Sequence, residues 1–131
     1  MKVLALDYGR ARTGVAVSDP TGTIARPLCV VEAAGGSGLA RIVALIDEHG
    51  VDRVVVGLPL TLRGERGDQA RETESFVEAL TGITTVPVVT FDERFTTDLA
   101  EQSPADDAPE DARAAAHLLD GYLAWASNAP A

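Results

Sequence analysis

Three acidic side chains in this chain stand where acids are costly. Asp7 closes an apolar, β-leaning run, and a carboxylate there must be paired, metal-bound or at the mouth of a site. Glu93 sits just past the apolar stretch VPVVTF, where the carboxyl end of a strand would bind ligands in an open α/β sheet. Asp111 heads a helical stripe. Ala114, Ala115, Leu118, Leu119, Tyr122 and Leu123 fall at i+3, i+4, i+7, i+8, i+11 and i+12 from it, so the carboxylate shares the side on which the leucines pack. Each acid alone has a structural alternative. Asp7 could bond to loop amides, Glu93 could pair with Arg94 or Arg12, and Asp111 could serve the helix dipole. Together, two strand ends and one helix start aim at one edge, where clustered carboxylates repel one another without a cation. Their oxygens are hard ligands, which favours Mg²⁺ or Mn²⁺ over zinc. Such a set suits two-ion phosphoryl chemistry, in which one ion activates an attacking water and the other stabilises the leaving oxygen. The ions of such sites lie about 3.5–4 Å apart.

The other reactive types offer less. His49 and His117 stand alone, without zinc spacing, and read as surface or flanking residues; no Ser-His-Asp arrangement is evident. Cys29 is the one cysteine, so no internal disulfide is available, and a reducing cytoplasm is expected. Ten of the eleven cations are arginine, whose planar fork suits phosphate oxygens. Arg10, Arg12, Arg63, Arg66 and Arg94 fall in loops expected near the acidic edge, where they would hold flanking phosphates.

The elements that must position these groups are legible from periodicity and breakers. Lys2–Tyr8 and Thr13–Ser18 read as strands joined by a turn between Gly9 and Gly14. Asp19-Pro20-Thr21-Gly22 is a strong turn signal. A third strand over Thr23–Val31 would complete an antiparallel meander, with Pro27 at a strand end or bulge. Leu39, Ile42, Val43 and Ile46 predict a helix ending near Gly50. Val51–Leu58 reads as a strand buried on both faces, and Gln69–Leu80 as a helix with Phe76, Val77 and Leu80 inward. Val86–Phe91 reads as another buried strand. A short helix could start at Thr96 or Thr97, broken by Ser103-Pro104. A last helix is expected over 109–126 with Pro109 at its first position, Tyr122 in the core and Trp125 packed at its end. The order βββαβαβα predicts an α/β domain built on a mixed sheet with helices on both faces.

A chain of 131 residues, 46% hydrophobic and 24% charged, fits one ordinary domain over residues 1–131 and is not disordered. No apolar run approaches the ~20 residues of a membrane-spanning helix, so no membrane partner is expected. An acid at the seventh residue argues against a secretory signal. The formal charge of −9 argues at first against a nucleic-acid partner. The charge is lopsided, however. Residues 1–91 carry nine basic and eleven acidic side chains, and residues 92–131 carry two and nine. An arginine-bearing, near-neutral body therefore precedes an acidic last third, and divalent ions would offset the three clustered acids.

The segments LALDYGRARTGVAVSDPTGTIARPL, VDRVVVGLPLTLRG, FDERFTTDLAE and DARAAAHLLDGYL resemble, in order and over nearly the whole chain, the bacterial YqgF family. These small RNase H-like proteins are named for pre-16S rRNA nuclease and Holliday junction resolvase activities. The DxG opening is shared with actin-like ATPases and sugar kinases, but those enzymes need two such domains to enclose ATP. The resemblance implies an RNase H-like fold, a five-stranded mixed sheet (antiparallel meander plus two parallel strands) flanked by helices. It implies an acidic catalytic and metal-binding triad at Asp7, Glu93 and Asp111, the three residues singled out above. It further assigns Gly9, Arg12 and Gly14 to the first hairpin, Arg94, Thr96 and Thr97 to a DER-x-TT motif, and Gly57-Leu58-Pro59 to a second loop. Thr61 stands where the family usually has asparagine.

The segment DLAEQSPADDAPE departs from the family, being short, acidic and broken by two prolines where relatives often carry a longer basic stretch. This disfavours a four-way junction, which resolvases engage as dimers on two charged arms, and favours a single-stranded or structured RNA end. The expected function is a Mg²⁺- or Mn²⁺-dependent nuclease acting on precursor rRNA, leaving a 5′-phosphate and a 3′-hydroxyl. It would work as a monomer or weak homodimer, in contact with the ribosome or its precursor. The alternatives are junction or single-strand DNA cleavage and, in another class, a non-catalytic ribosome-assembly protein that binds RNA.

Overall fold

The computed structural model describes residues 1–60, 63–93 and 109–128. Among the described residues, five strands and three helices follow in the order β1 (Val3–Asp7), β2 (Arg12–Ser18), β3 (Ala25–Glu32), α1 (Leu39–Glu48), β4 (Arg53–Leu58), α2 (Asp68–Thr81), β5 (Val88–Asp92) and α3 (Glu110–Asn128). They form one sheet in the order β3-β2-β1-β4-β5. The meander β1-β2-β3 is antiparallel, while β4 lies parallel to both β1 and β5. Asp19 closes the β2–β3 turn: its carboxylate accepts from the Thr23 and Ile24 amides at 2.7 and 2.8 Å and from the Thr21 hydroxyl. Pro27 sits at a bulge in β3, where the register jumps from Val15↔Cys29 to Ala16↔Pro27. An edge strand at a bulge can spare the missing N–H.

Alternation along the strands divides the core in two. Leu4, Leu6, Val15, Val17, Val54 and Val56 pack with Ile42, Leu45 and Ile46 of α1 and Phe76 and Leu80 of α2. Val3, Ala5, Ala16, Val55 and Phe91 pack on the other face with Ala115, Leu118, Leu119 and Tyr122 of α3. Odd-numbered positions of β1 therefore face α3, which is the side that Asp7 takes.

Several expectations need correcting. Val88–Asp92 is half-buried because β5 is an edge strand, covered on one side in the sheet only. Trp125 is 54% exposed, although its ring lies 5.8 Å from Phe91 and 6.0 Å from Tyr122. Pro109 precedes α3 and its carbonyl accepts the Arg113 amide at 3.0 Å, a capping role in place of the first helical position. The buried stripe of α3 centres on Ala112, Ala115, Leu119 and Tyr122, with Asp111 at its margin. His117 is half-buried, and its Nδ1 finds no hydrogen-bond partner among the described residues. The expected short helix after Thr96 lies outside the described residues. Among the described residues no helix is long and apolar enough to cross a membrane.

Candidate nuclease site

Two glycines explain how the three acids come to share an edge. Gly14 is the cross-strand partner of Asp7, and Gly57 follows Val56, the β4 partner of Leu6. Asp7 is thus flanked on both sides by residues without side chains. A β-carbon on Gly14 would lie 1.8 Å from the Asp111 carbonyl oxygen, so α3 enters against bare backbone directly beside Asp7. A β-carbon on Gly57 would lie 2.6 Å from Glu93 Oε1 and 3.0 Å from Leu118 Cδ2. The Glu93 carboxyl group occupies the space that a side chain at position 57 would fill. Gly9 tightens the β1–β2 hairpin, since a β-carbon there would meet the Arg12 carbonyl at 2.4 Å. Thr13, fully buried, binds both the amide and the carbonyl of Gly9. Pro59 follows β4, half-buried.

Asp7 and Glu93 share a hydrogen bond. A hydrogen bond between two carboxyl groups needs one of them protonated; with both ionised, a cation must take the proton's place. Burial, and then the negative charge of Asp7, pushes the Glu93 carboxyl up to about 7. Burial chiefly, helped by the Asp111 charge, also raises Asp7, while the bond from Glu93 works the other way. Asp111 is held by Arg12, whose Nε lies 3.4 Å from Asp111 Oδ2. Among the described residues no three His, Cys, Asp or Glu side chains are already closed to metal-coordination distance. The arrangement is a carboxyl pair with a third carboxylate one ion pair away, an all-oxygen donor set that fits a hard divalent cation.

Three of the five arginines expected to bind phosphate are ion-paired with acids of the chain. Arg10 is ion-paired with Glu72, and Arg66 with Glu74 at 2.8 Å, both glutamates on α2. Arg12 serves Asp111, and Arg63 is exposed. Arg94, Thr96 and Thr97 lie outside the described residues. Glu72 and Glu74 went unnoticed in the sequence, where they read as solvated positions of an amphipathic helix. Only the folded chain brings them to the arginines, and no local signal announces it.

The sheet order, the mixed strand directions and the helices on both faces define an RNase H-like α/β fold. Thermus thermophilus RuvC solved with a Holliday junction substrate shares that fold, with a TM-score of 0.70 at 16% identity over 97% of this chain and 95% of that one. This chain belongs to the RuvX family, whose description is "Holliday junction resolvase" and whose model matches residues 1–125. A relative from Chloroflexus aurantiacus is 46% identical over 130 residues, 92% of this chain and 85% of its own, and is named "Putative pre-16S rRNA nuclease". A relative of the same name from Rubrobacter xylanophilus is 44% identical over 129 residues, covering 93% of this chain and 91% of its own.

Proposed function

We propose that this chain is a divalent-metal-dependent nuclease acting on RNA, with maturation of the 5′ end of 16S rRNA as its reaction. The observation that carries the metal site is the shared hydrogen bond of Asp7 and Glu93 on an edge that Asp111 also approaches. Membership of the RuvX family and the names of its relatives support nuclease activity and the RNA substrate. Asp7, Glu93 and Asp111 would hold one or two Mg²⁺ or Mn²⁺ ions, which when bound supply water activation and charge stabilisation at the phosphate. The chain's own residues orient the substrate. Arg12 pairs with Asp111, and the exposed Arg63 would hold a neighbouring phosphate through its guanidinium group. Water adds to phosphorus and the P–O3′ bond breaks, leaving a 5′-phosphate and a 3′-hydroxyl. Residues 1–131 act as one domain, as a monomer or weak homodimer, in the reducing cytoplasm, where the free Cys29 stays a thiol.

A second reading, cleavage of four-way DNA junctions, is favoured by the description of the family. The acidic segment DLAEQSPADDAPE weighs against it, because a charged duplex arm would meet repulsion there. Asp7→Asn tests the reading on precursor 16S rRNA, single strands and a four-way junction with Mn²⁺ present. Metal-dependent cleavage should fall at least about a hundredfold with the fold intact. Unchanged cleavage would remove Asp7 from the site. Preference of the unsubstituted protein for the junction at physiological salt would replace RNA with DNA. Cells that mature 16S rRNA normally on Asp7→Asn protein alone would mark it as a binding protein.

A further inference from the structure

A cavity of about 330 Å³ is lined by Tyr8, Gly9, Arg10, Asp68, Gln69 and Glu72. It lies between the β1–β2 hairpin and the first turns of α2, one residue along the chain from Asp7. Asp7 takes the α3 face and Tyr8 the opposite one, where its ring stacks on Phe76 at 4.5 Å. The volume is at the small end of ligand-sized pockets. A strand whose scissile phosphate sits at Asp7 would pass the cavity mouth with its neighbouring nucleotide.

The lining chemistry selects what enters. Asp68 and Glu72 are one helical turn apart on α2; Arg10, the one cation among the described lining residues, is paired with Glu72, and Asp68 lies 3.7 Å from Arg71 Nη1. The described lining therefore offers carboxylate oxygens and no unengaged cation to hold a phosphate, so the base is the part of a nucleotide that fits. Carboxylates reward donors. Guanine is the one RNA base whose Watson–Crick edge offers two adjacent donors, N1–H and the N2 amino group, to a carboxylate fork. Its O6 and N7 accept from arginine. Adenine, cytosine and uracil each set an acceptor beside the donor, and that acceptor would face a carboxylate oxygen.

We propose that this cavity is a subsite for a single unpaired nucleoside flanking the scissile phosphate, selective for guanine through Glu72, Asp68 and Arg10. The subsite rests on the nucleic-acid reading above and adds a sequence preference to it. Since the Watson–Crick edge is used for recognition, the base must be unpaired, as in single-stranded RNA.

Binding of short uridine-rich RNA oligonucleotides carrying one central guanine, adenine or cytosine, or none, to the full-length Asp7→Asn protein tests it without cleavage. The guanine oligonucleotide should bind about tenfold tighter than the other three. Adding Glu72→Gln, which puts an amide donor where the acceptor was, should bring all four within about twofold, and adding Asp68→Asn should reduce the preference in the same direction. Equal binding of the four by the Asp7→Asn protein overturns the subsite and leaves the nuclease reading standing. A guanine preference that survives both α2 substitutions overturns its assignment to this cavity. No binding of any RNA, with binding of a DNA junction retained, overturns the RNA reading and the subsite with it.

Discussion

Asp19 and the Asp7–Glu93 pair lie at opposite ends of the β1–β2 ladder and treat their carboxyl groups in opposite ways. Asp19 is half-buried in its turn and surrounded by donors: two backbone amides within 2.8 Å and the Thr21 hydroxyl hold it well below the usual carboxylate range. Asp7 and Glu93 are sheltered by α3 and the sheet edge, face each other, and are both raised. An acid that shapes a turn finds its donors in the chain itself. The pair at the edge meets another acid instead, and stays incomplete until a proton or a cation arrives.

Glu93→Gln should break this contrast most severely. An amide can donate to Asp7 without a proton being held there, but it no longer offers a charged ligand, so cleavage should fall about a hundredfold or more. The pH dependence of stability sharpens the same point. Glu93 is raised from 4.5 to about 7, so the folded protein keeps a proton that the unfolded chain has released. The stabilisation is complete below pH 4.5 and is lost as pH rises through about 7. Thermal midpoints of the metal-free protein should therefore decline between pH 5 and 8, and Mn²⁺ or Glu93→Gln should flatten the decline. An equal slope in both proteins would take Glu93 out of the pair.

The two glycines separate packing from chemistry. Gly14→Ala drives a β-carbon into the backbone of Asp111, which cannot move alone, so stability should drop by about 3 kcal/mol in denaturant titration. Gly57→Ala meets the flexible end of Glu93, and the carboxyl group can swing aside. Its stability cost should stay near 1 kcal/mol while cleavage falls about tenfold. The smallest effect belongs to Asp19→Ala. A depressed carboxylate stabilises above its ordinary 3.8 and loses that contribution as pH falls below it. The melting temperature should drop at pH 7, the gap should close in acid, and cleavage should stay within twofold of the unsubstituted protein.

Most of this architecture was legible along the chain because strands and helices announce themselves through period and punctuation. Val54, Val55 and Val56 in a row marked an interior strand, and Pro27 marked the bulge in β3. The acids stood out because each interrupts an apolar pattern. What stayed hidden depends on contacts between distant segments. Nothing near Arg10 or Arg66 says that Glu72 and Glu74 will meet them, and the half-exposure of β5 follows from sheet order, which no local window contains. Glycine spacing gave the hairpin but not the reason for Gly57, whose space is taken by a residue 36 positions later.

Calorimetric titration of Mn²⁺ into the metal-free protein at pH 7.5, compared with Asp7→Asn, addresses the metal site itself. The account predicts saturable binding to the unsubstituted chain, weakened at least about tenfold by Asp7→Asn. Binding of equal affinity to both proteins would contradict it and leave the Asp7–Glu93 pair as a structural hydrogen bond.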